Sequence, residues 1–182
     1  MNPTEILKHE HKIVLLVLNG AESIAQTLND GGNADIVTVN KMVDFFRNFT
    51  DRCHHSKEEK QLFPRLEQRG VTNQGGPIGV MLQEHELGRA RVRAIADASV
   101  KIEAGDKSGS AILAENLSAY VELLRAHINK EDNVLFAMAD RVLTDADKQE
   151  LFEAFEKIEA EEMGEGAHEK YHEFAHEVAG LA

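Results

Sequence analysis

The sequence contains a single cysteine, Cys53, which excludes an internal disulfide framework. One thiol among 182 residues is typical of a reducing compartment, so we predict a cytoplasmic protein. The longest purely apolar run covers residues 13–18, far short of the ~20 residues that span a bilayer. Lys and Arg number 20 against 32 Asp and Glu, which argues against nucleic acid as a partner. Residues 1–12 lack the pattern of a signal peptide, so we expect none.

Sustained alternation of apolar and polar residues is also missing, which argues against β-strands. Apolar residues recur instead every three or four positions, as they do along amphipathic helices. Asn2 before Pro3 predicts one helix start, and Thr144 with Asp147 predicts another. Pro64 predicts a kink or an early end. The predicted helices cover about residues 3–30, 35–69, 77–103, 109–141, 144–163 and 168–180.

Four long helices joined by short connections predict an all-α fold, an antiparallel up-down four-helix bundle at residues 1–142. Residues 143–182 are predicted to form an additional C-terminal helical hairpin or tail that packs on the bundle. The alternative is a helical pair that dimerises through its apolar stripes, and we favour the bundle.

The sequence repeats a set of polar motifs once, at an offset of 73 or 74 positions. The matching motifs are Glu10-His11 with Glu84-His85, His54-x-x-x-Glu58 with His127-x-x-x-Glu131, and Leu62-Phe63 with Leu135-Phe136. Such a duplication predicts an approximate twofold axis, with the matched side chains converging on one central place.

Metal binding explains this choice of residues better than surface ion pairs do. A His and a Glu four positions apart lie on one face of a helix and can reach the same ion. One such pair alone is typical of a solvated helix surface. Two pairs, each preceded by a lone His about 42 residues earlier, predict two metal ions, each with two imidazoles and spanned by two carboxylates. Nitrogen and oxygen ligands with open positions favour non-haem iron over structural zinc.

The assignment of ligands has three ambiguities. His9 competes with His11, because both lie near the edge of the first apolar stripe. The pair His55-x-x-x-Glu59 competes with the pair that begins one residue earlier. Asp132 could replace Glu131 as the carboxylate that bridges the two metal ions. The repeat offset favours His11 and the earlier pair.

These motifs resemble the hemerythrin-like family of four-helix bundles, which the HHE cation-binding pattern characterises. The likeness covers about residues 1–142 and is closest at residues 54–64. The resemblance implies two non-haem iron ions, oxo- or hydroxo-bridged, that bind dioxygen, nitric oxide or peroxide. The matching ligands are His11, His54, Glu58, His85, His127 and Glu131.

The sequence departs from the oxygen-carrying members of that family at one position. Those proteins have a further His four residues before the one on the third helix, and here Met81 stands in its place. One iron would then lack an imidazole, which argues against reversible oxygen carriage. An open position, or a ligand from elsewhere, favours redox chemistry, peroxide or nitric oxide handling, or sensing.

The tail is a possible source of such a ligand. His168, His172 and His176 are spaced by four and share a helix face. A solvated amphipathic helix is the simpler interpretation, and the alternative places His168 or His172 at the open end of the bundle as an extra ligand. Residues 168–172 also match the H-E-x-x-H motif of metalloproteases, but too few residues follow to supply a third ligand and a cleft.

The sequence therefore predicts a protein that binds or senses a small diatomic or peroxide ligand at a carboxylate-bridged di-iron site. The first alternative is a di-iron enzyme that removes peroxide or nitric oxide. The second is a regulatory module that responds to iron or oxygen. The residues point to no nucleic acid, membrane or protein partner.

Overall fold

The computed structural model describes residues 2–164 and 166–180. The predicted bundle and tail also include four residues that lie outside the described ones, namely Met1, Glu165, Leu181 and Ala182. Across the described residues every element is a helix and none is a strand, so the all-α prediction is confirmed. The helices are α1 (Pro3–Asn29), α2 (residues 36–68), α3 (Pro77–Glu103), α4 (residues 108–142), α5 (Asp145–Glu162) and α6 (Ala167–Ala179).

Helices α2 and α4 each contain π-helical stretches. In α2 the segments Ile36–Phe45 and Phe63–Gln68 are α-helical, and Phe46–His55 and Glu58–Leu62 are π-helical. In α4 the segments Ser108–Lys130 and Phe136–Val142 are α-helical, and Glu131–Leu135 is π-helical. A π turn closes i→i+5 hydrogen bonds and so carries more residues than an α turn, and such turns are frequent at functional sites. Both helices widen where the predicted ligands lie.

Two predicted helix signals act differently from expectation. Pro64 does not end its helix, since α2 passes from π to α geometry just before it and continues to Gln68. Proline is tolerated there because it falls in the first turn of the α-helical segment. Asn2 precedes α1 but makes no capping hydrogen bond; its Nδ2 donates to Asp140 Oδ1 at 2.9 Å instead. The predicted start at Thr144 is confirmed by a reciprocal capping box with Asp147.

The apolar core is divided into two clusters along the helices. One cluster joins the C-terminal half of α1 to Phe46 and Phe49 of α2, and to α3, α4 and α6. The other joins Leu7 of α1 to Phe63 of α2, Phe136 of α4 and part of α5. The predicted metal ligands lie between these clusters in each of α1 to α4. The fold thus places a polar layer between two apolar cores.

Helices α5 and α6 contact α1, and α5 also contacts both π-helical stretches of α2. Phe155 of α5 and Tyr171 of α6 are buried in the two clusters. Tyr171 Oη donates to Asp44 Oδ2 at 2.9 Å. None of the described helices is long and apolar enough to cross a membrane.

Candidate metal centre

The polar layer brings seven potential ligands together in two groups of four. In each group the ligand atoms lie within 4.8 Å of one another, and every residue is buried. The first group is His11, His54, Glu58 and Glu131, and the second is His55, Glu58, His85 and His127. All six principal ligands predicted from the sequence are present, and Glu58 belongs to both groups.

The carboxylates of Glu58 and Glu131 lie at the centre of this layer. Both side chains are fully buried, and none of their four oxygens has a hydrogen-bond partner. Burying an unpaired carboxylate is costly, so buried carboxylates usually have a charged partner or bind a metal. The residues present therefore fit a pair of cations at this position.

Each carboxylate reaches ligands of both groups. Glu58 Oε1 lies 3.7 Å from His54 Nε2, and Glu58 Oε2 lies 3.4 Å from His85 Nε2. Glu131 Oε2 lies 3.3 Å from both His11 Nε2 and His127 Nε2. Both carboxylates therefore lie between the two groups of histidines.

The imidazole nitrogens are spaced as ligands of a common ion. His11 Nε2 and His54 Nε2 are 3.0 Å apart, and His85 Nε2 and His127 Nε2 are 3.1 Å apart. Two nitrogens about 2.1 Å from one ion, at a right angle to each other, lie roughly 3 Å apart. The two pairs therefore match two ions with two imidazoles each.

Each of the five clustered histidines directs Nδ1 at a carboxylate. The pairs are His11 with Asp132 (2.7 Å), His54 with Glu10 (2.7 Å), His55 with Asp51 (3.2 Å), His85 with Glu59 (2.7 Å) and His127 with Glu84 (2.9 Å). A carboxylate only accepts hydrogen bonds, so Nδ1–H donates and Nε2 is left for a metal. Carboxylate partners of this kind orient metal-binding imidazoles and raise their basicity.

Four of the five carboxylates that hold the histidines also contact a lysine or an arginine. Lys57 contacts Glu10, and Lys130 contacts Glu84. Arg89 contacts Asp51 and Glu59, the carboxylates of α2 that pair with His55 and His85. The outer part of the site is thus held in place by ion pairs.

The outer hydrogen bonds follow the twofold repeat. His11 pairs with Asp132, which follows Glu131 of the second repeat. His85 pairs with Glu59, which follows Glu58 of the first repeat. The two lone histidines therefore each cross to the other repeat.

His55 breaks this symmetry. The matching position in the second repeat, 73 residues later, is Ile128, which is also buried. The His55 ring stacks on the His85 ring, with centroids 3.8 Å apart and planes 16° apart. One end of the site therefore has three imidazoles and the other has two. His55 is the fifth imidazole near the two glutamates, where Met81 left the predicted site with four.

The repeat offset favoured His54 over His55 as the ligand, because only His54 matches His127. The reason His55 faces inward is local geometry: His54 and His55 both lie in the π-helical stretch Phe46–His55. A wider turn lets two consecutive side chains approach the interior. A π-helical stretch has no simple sequence signature, so the 3.6-residue period could not reveal it.

Burial and neighbouring charges shift the pKa values of several side chains in this site. Burial and the charge of Glu131 raise the pKa of Glu58 well above its usual range. Burial alone would lower the pKa of His11, but the hydrogen bond to Asp132 and the nearby charge of Glu131 outweigh it and raise that pKa to about 9. Burial lowers the pKa of His54 to about 4, so this imidazole is neutral, as metal ligation requires.

The remaining predicted residues lie outside the two groups. Asp132 acts as the hydrogen-bond partner of His11. His9 of α1 stacks against His172 of α6, with ring centroids 5.8 Å apart. His168 lies beside Glu159 of α5. The structure therefore does not bring His168 or His172 into the groups that contain Glu58.

A cavity of about 180 Å³ lies beside the three-imidazole end. Its lining includes His55 and its partner Asp51, together with Arg89 and Tyr120. This volume exceeds that of a few water molecules, so dioxygen, nitric oxide or hydrogen peroxide would fit. The cavity places the three-imidazole end within reach of a small ligand.

Comparison with known proteins yields one family and a few distant relatives. The family model for the hemerythrin HHE cation binding domain matches residues 2–139. Uncharacterised proteins of Mycobacterium tuberculosis (strain ATCC 25618 / H37Rv) and Mycobacterium bovis (strain ATCC BAA-935 / AF2122/97) are each 26% identical over 161 residues. Those matches cover 88% of this chain and 62% of each relative, so the chain spans about three fifths of their length.

A further relative has a descriptive name. The iron-sulfur cluster repair protein YtfE of Dickeya chrysanthemi (strain Ech1591) is 27% identical over 123 residues, which are 66% of this chain and 55% of that protein. No solved structure gives a significant match.

Proposed function

The chain belongs to the hemerythrin HHE cation-binding family, and we propose that it binds two non-haem iron ions and, with them, senses or binds dioxygen, nitric oxide or peroxide. The observation that carries the proposal is the set of four buried, unpartnered oxygens of Glu58 and Glu131. Five imidazole rings surround these oxygens. Histidine nitrogen with carboxylate oxygen is a donor set that suits iron.

In this proposal the two groups of ligands hold one ion each. His11 and His54 hold the first, while His55, His85 and His127 hold the second. Glu58 belongs to both groups and would contact both ions, and Glu131 would lie beside it. Bound iron would supply redox activity and coordination positions open to a small ligand. The helices α1 to α4 would form the antiparallel up-down four-helix bundle, with residues 143–182 as its extension.

The surrounding residues prepare this site in two ways. The Nδ1 partners fix each ring so that Nε2 faces the centre. The Phe136 ring stacks on His11 at 5.6 Å, and the Phe63 ring stacks on His85 at 6.0 Å. These apolar walls exclude water from one side of the centre, so small ligands would approach through the cavity beside His55.

An anaerobic Fe(II) titration of the metal-free protein tests this function. We expect saturation at two iron ions per chain, followed by near-ultraviolet and visible charge-transfer bands when oxygen is added. Binding that saturates at one ion, or no saturable binding, would contradict the proposal.

A redox enzyme is the second candidate, and two observations favour it. The cavity carries polar groups, Arg89 and Tyr120, beside the three-imidazole end. One relative is named for iron-sulfur cluster repair, a role outside simple oxygen carriage. Oxygen evolution from hydrogen peroxide, in proportion to the iron content, would favour the enzyme; no turnover would favour the binding protein. The cytoplasmic location stays a prediction.

A further inference from the structure

A second group of metal-binding side chains lies where α5 and α6 meet α1. A cavity of about 1110 Å³ opens there, and five glutamates and two histidines contribute to its lining. Among the described residues that line it there is no Lys or Arg. The cavity is therefore strongly acidic and open to ions from solvent.

The donor atoms in this cavity converge at one point. One oxygen or nitrogen each from Glu10, Glu159 and His168 lies within 4.8 Å of the others. Glu159 Oε1 and His168 Nε2 are 4.0 Å apart. Two ligands each about 2.1 Å from one ion lie roughly 3–4 Å apart. The pair therefore needs little movement to hold a common ion.

Glu10 and Lys57 lie between Glu159 and His54 of the proposed di-iron centre. Glu10 uses one oxygen on His54 and the other on Lys57. Lys57 also donates to Glu159 Oε2 at 2.9 Å. The inner oxygen of Glu159 is thus occupied, and the outer oxygen, Oε1, is the one near His168.

His172 provides the second, independent observation. Its Nε2 is buried and has no hydrogen-bond partner. Its ring centroid lies 4.5 Å from that of His168, and His9 of α1 approaches it from the other side. Two histidines four positions apart on a helix are a spacing that binds one metal ion. This buried nitrogen has no partner, and its ring contacts that of His168, so it is available as a further metal ligand.

We propose that Glu159, His168 and His172 form a separate site for a single divalent transition-metal ion. Two imidazoles and a carboxylate suit zinc, iron or a similar ion, whereas magnesium and calcium prefer oxygen ligands alone. The third ligand that the H-E-x-x-H motif appeared to lack comes from upstream, on α5. The site is built by the extension and does not use the ligands of the di-iron centre.

Equilibrium dialysis of the full-length, iron-loaded protein against Zn(II) tests this site. Iron and zinc are both measured in the dialysed protein, so displacement of iron is distinguished from additional binding. We expect one zinc ion per chain beyond the two iron ions. Glu159→Gln combined with His168→Asn should weaken zinc binding at least tenfold, and His172→Asn alone should also weaken it, with the iron content unchanged.

A matched control uses exposed side chains of the same two helices. Glu161→Gln combined with His176→Asn should leave zinc binding unchanged, because both residues are exposed and lie outside the cavity lining. No additional zinc, equal binding by the Glu159/His168 variant, or equal loss in the control would overturn the proposal. Two iron ions without zinc would leave the di-iron function standing, so the two proposals fail separately.

Discussion

Replacing Glu58 with Gln separates two effects of this carboxylate, its effect on the free energy of unfolding without metal and its role in binding metal. The amide keeps the shape of the side chain and removes the charge. Without metal, burial and the charge of Glu131 raise the pKa of Glu58 well above its usual range, so its carboxyl group takes up a proton more readily than that of an exposed glutamate. An amide resembles a neutral carboxylic acid, and we expect the metal-free free energy of unfolding to change by less than about 1 kcal/mol.

With iron present the same variant should behave very differently. At a free Fe(II) concentration of about 100 times Kd, each bound ion adds about 2.7 kcal/mol to the free energy of unfolding. A 100-fold loss of affinity reduces this to about 0.4 kcal/mol per ion. For a chain of this size the difference corresponds to roughly 5–9 °C in Tm per ion. Glu58 belongs to both groups of ligands, so both ions should be affected.

The assay is anaerobic thermal unfolding of the wild type and the variant, with and without Fe(II). Glu67→Gln is the control, since Glu67 is exposed on the same helix. The reasoning is refuted if iron raises the Tm of Glu58→Gln as much as that of the wild type. It is also refuted if the metal-free variant loses several kcal/mol, because the carboxylate would then have a structural partner.

His55→Ile gives the first repeat the isoleucine that the second repeat has at position 128, so each ion should be left with two imidazoles. The iron-loaded wild type should show two distinct Mössbauer quadrupole doublets, and in the variant the two should become alike. An unchanged pair of doublets would count against His55 as a ligand. Lys57→Met leaves Glu10 buried without its cation, so urea unfolding should show a loss of about 3–5 kcal/mol, and a loss below about 1 kcal/mol would contradict this. Burial raises the pKa of Cys53 to about 12, so iodoacetamide should alkylate it at pH 8 only after unfolding; rapid labelling of the folded protein would be inconsistent with a buried thiol.

The repeat in the sequence was sufficient to identify most of the residues that the structure brings together around Glu58. A His and a Glu four positions apart face the same side of an α-helix, so His54 with Glu58 and His127 with Glu131 could be identified from spacing alone. Their positions relative to the lone histidines followed from the duplication. The outer ion pairs could also have been predicted, because Lys57 recurs as Lys130 at the same offset of 73 positions.

The rest depended on features that spacing does not encode. His55 faces the centre because α2 is π-helical there, and the α-helical period places it elsewhere. Pro64 suggested a break, but its position in the first turn of an α-helical segment removes the conflict. The position of His168 beside Glu159 depends on how α6 packs on α1 and α5, which is a tertiary contact.

The most direct test of the di-iron centre is anomalous diffraction at the iron edge from crystals of the iron-loaded protein. The account predicts two strong peaks roughly 3.5–4 Å apart, a typical spacing in two-metal sites, between the carboxylates of Glu58 and Glu131. One peak should lie among His55, His85 and His127, and the other between His11 and His54. A single peak, or peaks away from both glutamates, would contradict it.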